Sequence, residues 1–416
     1  MCYRKIELNK ATLHIYKTEK FKKISINVLL SEKINETNLS YRNLLSRVVE
    51  SKSSKYQTKR DINRKLDMLY GATFGISAAK LGIVTYINAS IDGVNPKYVG
   101  DDKLLNDMCE FLNHMIFNPS FDDKNVTEEK RLLLDDYNFE YENKAALAAI
   151  NANNIAFKDE IARFKGNGEK DIVKKIKKEE LEKYYKYILE NDKVDIIICG
   201  DVDDSIIDLA KKYFDFGINN KINPIDYEEK EIKEVIYKKD KTKSTQSQLV
   251  IKYRCYTRVK DSDYVKMILF ERLFGGFSSS LLFTNVREKN SLCYSISSTF
   301  SQLKGVITIA AGINAKDYDN AVKLIFEQLE EVKRGNFSDE LLEMAKLSLI
   351  SGSKKSKDSL YAISKKIYSN ELLDKELDFN EYNEEIKYLT KEDIISVANK
   401  LKLDLVYLLE GSVSSE

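Results

Sequence analysis

The stretch Phe274-Gly-Gly-Phe-Ser-Ser-Ser-Leu-Leu-Phe-Thr-Asn-Val-Arg-Glu-Lys-Asn-Ser-Leu-Cys-Tyr294 carries the strongest signal in the sequence. Its glycine pair, Gly275 and Gly276, breaks an apolar helical pattern and allows the backbone to approach another group closely. The serines that follow are N-cap candidates for a short helix, and Arg287 and Tyr294 then lead into a predicted strand. From spacing alone, the stretch is equally consistent with a helix-to-strand turn that carries a surface arginine.

One order of elements occurs twice along the chain. In the first copy, alternating apolar residues predict strands at 23–30 and 82–89, with helices before and after the second strand. In the second copy, strands at 248–253 and 305–311 stand in the same order among helices. Each copy ends in a helix, an apolar strand and a glycine. We therefore predict an α+β fold of two homologous repeats, each a mostly antiparallel sheet packed with helices.

The predicted boundaries follow from changes in composition. The first repeat covers residues 1–216, a linker covers 217–235, and the second repeat covers 236–416. The linker is rich in Asn and charged residues and contains one of only three prolines. Within the second repeat, the polar run 351–357 predicts a kink or turn.

Composition excludes several function classes. Lys and Arg number 67 and Asp and Glu 66, so no net field attracts nucleic acid or an anionic membrane. The five cysteines form no close C-x-x-C pair, which indicates reduced thiols. The N-terminus has no apolar leader, and no run approaches the ~18 apolar residues of a membrane helix. We expect a cytoplasmic protein that binds neither nucleic acid nor membrane.

The stretch 274–294 resembles the second half of the insulinase/pitrilysin family of zinc peptidases, which includes the mitochondrial processing peptidase. Its amino-acid sequence is most similar to that of the short bacterial members called YfmF-like. The resemblance implies that two chains of this length pair around a chamber, so that this chain is one half of an insulinase-family clamshell. It also implies a substrate-contacting glycine loop and an arginine–tyrosine pair that holds the substrate backbone. The residues implied to bind substrate are Gly275, Gly276, Phe277, Ser278, Arg287 and Tyr294.

Active members of that family carry H-x-x-E-H on the first long helix. Two histidines four residues apart share a helix face and bind one Zn²⁺, and the glutamate between them polarises the metal-bound water. The corresponding helix here has Asn43-Leu-Leu-Ser-Arg47, so Asn43 and Arg47 replace the histidines and Ser46 replaces the base. The only histidines are His14 and His114, and no shift of register restores the motif.

The carboxylates of the family's metal site are partly kept. Glu129 and Asp136 match the segment that supplies the third ligand, although the family uses glutamate at the position of Asp136. Arginine has no lone pair to offer a metal and stays protonated. We therefore expect Arg47 to occupy the metal position and to form an ion pair with Asp136 or Glu129.

Other chemistry has weaker support. Cys293 beside Tyr294 lacks the nearby base that a catalytic thiolate needs and is better explained as a half-buried structural cysteine. Gly275-Gly276 lacks the spacing of a phosphate loop. His14 alternates with Leu13 and Ile15 on a predicted strand, which favours an ordinary surface or edge histidine.

Together these features predict a non-catalytic, substrate-binding subunit of a heterodimeric insulinase-like metallopeptidase. Whether to class the chain as an enzyme stays open, because we expect no catalysis from it alone. No cofactor is expected in this chain. The expected partners are a zinc-bearing subunit with the H-x-x-E-H motif and a peptide substrate. The alternative is an inactive family member that serves as a scaffold or assembly protein with no role in proteolysis.

Overall fold

The computed structural model describes residues 2–380 and 382–412. Within them, eleven strands occur: β1 Cys2–Glu7, β2 Thr12–Lys17, β3 Lys23–Lys33, β4 Thr73–Leu81, β5 Val84–Val94, β6 Lys193–Gly200, β7 Ile236–Thr242, β8 Ser247–Arg254, β9 Ser295–Ser301, β10 Val306–Ile313 and β11 Lys402–Gly411. The α-helices are α1 Asn38–Ser51, α2 Lys59–Met68, α3 Leu104–Phe117, α4 Asp123–Glu142, α5 Lys144–Ala156, α6 Lys170–Lys175, α7 Lys178–Asn191, α8 Ser205–Phe214, α9 Tyr264–Glu271, α10 Tyr318–Lys333, α11 Asp339–Ser356, α12 Leu360–Leu373, α13 Asn383–Tyr388 and α14 Lys391–Ala398. Two π-helical turns, Arg272–Gly276 and Phe283–Lys289, follow α9.

The chain forms two compact units. Unit 1 contains the chain up to Asn138 together with Phe164–Asp226 and Lys357–Leu377. Unit 2 contains Phe139–Arg163, Tyr227–Ser356 and the chain from Asp378 onward. The repeat boundaries 1–216 and 236–416 stay a prediction, because they divide the chain by sequence order. The compact units divide it by contacts, and each unit includes a segment from the other side of the proposed linker.

The sheet of unit 1 has six strands in the order β1-β2-β6-β3-β5-β4. The β2–β6 pair is parallel and the other neighbours are antiparallel. Helix α1 lies against the edge strand β4, and α12 lies against β6 and β3. This packing places the helix that carries Asn43, Ser46 and Arg47 beside an edge of the sheet.

The sheet of unit 2 has five strands in the order β7-β11-β8-β10-β9, with β7 and β11 parallel and the others antiparallel. Strand for strand, this is the order β2-β6-β3-β5-β4 of unit 1, including the position of the parallel pair. The predicted α+β fold of two repeats with mostly antiparallel sheets is thus confirmed. In unit 2 the edge strand β9 packs against α9 and both π-helical turns.

Each unit is completed by a helix from a distant part of the chain. In unit 2, α5 packs on β11 and β8 through a stripe of buried alanines, Ala148, Ala152 and Ala156. The small side chains recur every fourth residue, so one helix face approaches the sheet closely. In unit 1, α12 contacts the sheet with polar groups as well, since the hydroxyl of Tyr368 hydrogen-bonds Ser31 Oγ at 2.8 Å.

Two local predictions need correction. In the polar run 351–357, residues 351–356 continue α11, and the turn begins only at Lys357. A β-carbon on Gly352 would meet no heavy atom of the described chain within 4 Å, so small polar residues on this open face cost only helix propensity. His14 is completely buried rather than at the surface, because β2 lies between β1 and β6 and Glu371 of α12 approaches the same cluster.

Candidate functional site

The glycine pair of unit 2 lies in a tightly packed turn. A β-carbon on Gly275 would come within 2.8 Å of the backbone nitrogen of Ser298 on β9. A β-carbon on Gly276 would come within 2.8 Å of both carboxyl oxygens of Glu271. The close approach predicted for these glycines is therefore to β9 and to the end of α9. Burial raises the pKa of Glu271, and Arg272 acts in the opposite direction.

The residues after the glycines become progressively exposed and then buried again. Phe277 is half-buried and Ser278 is exposed, so both are accessible at the surface of unit 2. Ser280 is buried, and its hydroxyl has no hydrogen-bond partner in the described chain, so it does not act as a side-chain cap. At the start of the short helix that follows, Ser280 takes part through its main-chain oxygen, which accepts a hydrogen bond from Thr284 N at 2.9 Å.

Arg287 and Tyr294 line the same open pocket, which has a volume of about 410 Å³. The guanidinium of Arg287 stacks on Phe283, with Cζ 4.5 Å from the ring centroid, and 39% of the side chain is exposed. Its Nε is 3.9 Å from the nearer carboxyl oxygen of Glu288, beyond hydrogen-bonding distance. The arginine therefore keeps donors directed to solvent.

Tyr294 is held at its two ends. Its main-chain N–H donates to Gly312 O at 2.8 Å, and its hydroxyl donates to Asn314 Oδ1 at 3.0 Å. The residue is 59% exposed. Sequence reasoning missed Asn314, because it lies 20 residues further along the chain, just after β10, and no local motif marks it.

The pocket and the glycine turn are separate features of unit 2. The pocket is lined by Arg287, Glu288, Ser291, Cys293, Tyr294 and Asn314. The residues 275–278 do not line it, although their turn and the helix of Arg287 both pack against β9. Burial raises the pKa of Cys293 to about 11, with Arg287 acting in the opposite direction. This thiol stays protonated near neutral pH, in agreement with a structural role.

The degenerate metal positions in unit 1 bond to protein groups. Asn43 Nδ2 donates to Leu39 O at 2.8 Å and to Gly166 O at 2.9 Å. Ser46 Oγ donates to Asn43 O at 3.0 Å. Arg47 Nη2 donates to Asp136 Oδ2. The predicted ion pair of Arg47 is confirmed, with Asp136 as its partner.

The second carboxylate of α4 has a different partner. Glu129 is buried and lies 3.5 Å from the ammonium of Lys59, the first residue of α2. Glu50 is close by, and burial raises its pKa; Lys59 and Arg47 act against this shift, while Glu129 reinforces it. Carboxyl groups thus remain on α1 and α4, but the cations beside them are side chains of the protein.

This donor set does not fit the zinc ion that the family's motif binds. Zinc sites use thiolate, imidazole and carboxylate ligands, whereas positions 43, 46 and 47 hold an amide, a hydroxyl and a guanidinium. Arg47 brings a positive charge next to Asp136, where a metal would need to bind. The amide of Asn43 directs both its hydrogens at main-chain oxygens. Positions 43, 46 and 47 therefore support no metal-dependent step.

Unit 1 also contains a buried polar cluster that the sequence did not predict. His14 hydrogen-bonds the hydroxyl of Tyr3 at 2.9 Å through Nδ1 and lies 3.3 Å from Asp195 Oδ1 through Nε2. Ligand atoms of His14, Asp195 and Glu371 lie within 4.8 Å of one another. The ammonium of Lys193, however, contacts Asp195 and lies 3.5 Å from Glu371. The ammonium of Lys5 lies 2.9 Å from Glu371 as well, so two lysines balance the two carboxyl groups of the cluster.

A chain that keeps metallopeptidase carboxylates but lacks the metal-binding side chains has the features of an inactive metallopeptidase homologue. Residues 175–349 match the family model described as the peptidase M16 inactive domain. The chain is 31% identical over 415 residues to the "Probable inactive metalloprotease YmfF" of Bacillus subtilis, with 96% of each chain covered. It belongs to the peptidase M16 family and is an inactive-metalloprotease-like member of it. The resemblance of the stretch 274–294 to this family and to its short bacterial members is confirmed.

Solved structures agree with this assignment. A conserved protein from Enterococcus faecalis V583 superposes with a TM-score of 0.93 at 28% identity, with 100% of both chains covered. A peptidase M16 inactive domain from Pseudomonas fluorescens superposes with a TM-score of 0.82 at 15% identity, over 100% of this chain and 99% of that one. The second match shows the shared fold alone. Among the described residues, none of the helices is both long enough and apolar enough to cross a membrane.

Proposed function

We propose that this chain is the non-catalytic, substrate-binding subunit of a heterodimeric M16 peptidase in the bacterial cytoplasm. The zinc and the water-activating base belong to a second subunit that carries H-x-x-E-H. This chain contributes the glycine turn at Gly275–Ser278 and the pair Arg287 and Tyr294, which bind an extended peptide. The observation that carries the proposal is the exposed guanidinium of Arg287 beside the phenol of Tyr294 in one polar pocket.

The pocket supplies the right donors for a peptide. Arginine offers a fork of N–H groups that matches a carboxylate or a pair of backbone oxygens. The guanidinium lies over the ring of Phe283, and this cation–π contact uses none of those donors. The hydroxyl of Tyr294 donates to Asn314, so a substrate oxygen would replace Asn314 as its acceptor.

Strand β9 extends the site along a peptide. It begins at Ser295, directly after Tyr294, and it is an edge strand of its sheet. An extended peptide that adds to this edge gains main-chain hydrogen bonds and passes the arginine–tyrosine pair at one end. This geometry favours unstructured peptides over folded proteins.

The test combines this chain with an H-x-x-E-H-bearing M16 subunit from the same cell and measures cleavage of a quenched fluorescent peptide. The chain alone should be inert, and the mixture should be active. Arg287→Ala should reduce kcat/KM of the mixture about 10- to 100-fold, because a charge-assisted hydrogen bond contributes about 1.5–3 kcal/mol. Arg334→Ala is the matched control, since this arginine is exposed at the C-terminal end of α10 in the same unit and pairs with Glu331.

Three results would count against the proposal. If the mixture gains no activity from this chain, the scaffold alternative replaces the substrate-binding role. If Arg287→Ala and Arg334→Ala have equal effects, the pocket is not the peptide site. If the chain alone binds zinc and cleaves peptides, the interpretation of Asn43, Ser46 and Arg47 is wrong.

A further inference from the structure

Glu271 occupies an unusual position beneath the glycine turn. It is the last residue of α9 and is only 9% exposed. Ser298 Oγ on β9 lies 3.1 Å from its Oε1 and 3.2 Å from its main-chain oxygen, so the one hydroxyl hydrogen can be donated to either oxygen and links the residue to the sheet. An acidic side chain is rarely buried without such a partner.

The turn is shaped around this carboxyl group. Both carboxyl oxygens lie 2.8 Å from the place where a β-carbon on Gly276 would be, so a larger residue at position 276 requires the buried Glu271 side chain to move. The adjacent Gly275 is confined in the same way by the backbone of Ser298. Arg272 completes the arrangement, because its Nη1 donates to Gly276 O at 2.6 Å. Glu271, Ser298 and Arg272 thus all contact the glycine turn on its buried side.

We propose that Glu271 is the positioning residue of the glycine turn, fixing the Gly275–Ser278 backbone in the shape that receives the peptide. This inference rests on the proposed function of that turn. Glu271 does not touch the peptide itself; it acts through the backbone of Gly276 and through Ser298. Glycine at position 276 then serves to let the backbone lie close to this carboxyl group, in addition to any approach by substrate.

Peptide affinity of the full chain gives the first test, with fluorescein-labelled β-casein peptides as the probe and anisotropy as the measurement. Glu271→Ala should weaken binding at least 10-fold. Glu271→Gln should stay within about 3-fold of the unmodified chain, because the amide keeps the volume and the acceptor for Ser298. The thermal midpoints of both variants are measured in parallel, so that a general loss of folding is recognised.

A double-mutant cycle tests the contact itself. Gly276→Ala should lower the thermal midpoint of the chain that retains Glu271, because the new methyl group collides with the buried carboxyl oxygens. In the Glu271→Ala background those oxygens are absent, and the same glycine substitution should have less than a third of its original effect. Strong non-additivity of this kind is expected only for groups in contact.

The outcomes separate this inference from the proposed function. If Arg287→Ala weakens peptide binding and Glu271→Ala does not, the positioning role is wrong and the peptide site stands. If neither variant weakens binding, the peptide site fails, and with it the use of the turn. Additive midpoint shifts for Gly276→Ala and Glu271→Ala would overturn the contact on which the positioning role depends.

Discussion

Replacing Lys252 should reduce the pH dependence of the free energy of unfolding, to which the buried lysines of unit 2 contribute. Lys252 on β8 is 6% exposed, and its ammonium donates to Thr308 Oγ1 at 3.2 Å. It shares the ring of Phe157 with Lys304 and Arg254, at 5.7, 4.7 and 4.4 Å from the centroid, respectively. Burial lowers the pKa of Lys252 to about 7, and repulsion by Lys304 acts in the same direction.

The sign and size follow from proton linkage. An unfolded lysine has a pKa of about 10.4, so between pH 7 and 10 the unfolded chain binds a proton that the folded chain has lost. The free energy of unfolding therefore rises with pH by about 1.4 kcal/mol per unit from this residue. Over the interval from pH 6 to 8.5, where the rise begins near pH 7, the expected contribution is about 2 kcal/mol.

Guanidinium-induced unfolding, followed by circular dichroism at pH 6, 7 and 8.5, measures this contribution as the difference between the unmodified chain and Lys252→Met. The difference is needed because Lys304 has a pKa lowered to about 8 and contributes its own rise. Burial also raises the pKa values of the buried thiols, which opposes the rise above pH 8.5. Lys323→Met is the control, since that side chain is 75% exposed. A Lys252 difference that stays constant within about 0.5 kcal/mol would refute the linkage argument.

Three further outcomes are expected. Gly275→Ala should destabilise unit 2 by about 1–3 kcal/mol through overpacking, whereas Gly352→Ala, in an open helical position, should stabilise by about 0.4–1 kcal/mol; thermal melts of both test this. The triple variant Asn43→His, Ser46→Glu and Arg47→His should bind one equivalent of zinc by metal analysis, since position 47 already reaches a carboxylate on α4, and the unmodified chain should bind none there. Ellman's reagent should label one cysteine rapidly in the native chain and all five in denaturant, because four are buried.

Strand alternation and helix periodicity were sufficient to predict the repeated α+β fold. The strands predicted at 23–30 and 248–253 became β3 and β8, which lie at the same place in two sheets of matching order. Periodicity reports which face of an element is apolar, but it does not report which sheet that face covers. For this reason the alanine stripe of α5 gave no indication that the helix packs in unit 2 with the strands β8 and β11.

Burial of polar side chains was the least predictable feature. The alternation of residues in β2 correctly places His14 on the face opposite to Leu13 and Ile15. That second face of the strand is exposed to solvent only if no other element packs on it. Here Tyr3 of β1, Asp195 of β6 and Glu371 of α12 all approach His14. These partners are separated from His14 by 11 to 357 residues, so no local pattern contains them.

The candidate site residues were also predictable only where a local motif marked them. Arg47 was predicted to pair with Asp136 or Glu129, because a cation at the metal position needs a carboxylate partner, and the ion pair with Asp136 is present. Asn314 and Glu271 were not singled out, because each acts through a tertiary contact with Tyr294 or Ser298 that spacing does not encode. Motif residues could therefore be named as candidates from sequence, whereas the contacts of Asn314 with Tyr294 and of Glu271 with Ser298 required the structure.

The matching topology of the two sheets gives these residues a common logic. In unit 1 the helix α1, which carries Glu50 near its end, lies against the edge strand β4. In unit 2 the end of α9 lies against the edge strand β9, and Ser298 hydrogen-bonds Glu271. Each repeat thus packs a helix on the corresponding edge strand, with a carboxyl group at or near the end of that helix. The first repeat has Asn43, Ser46 and Arg47 at this place, and these side chains do not fit a zinc ion. The second has a glycine turn and an open pocket lined by Arg287, so the proposed peptide cleavage relies on zinc held by a second subunit.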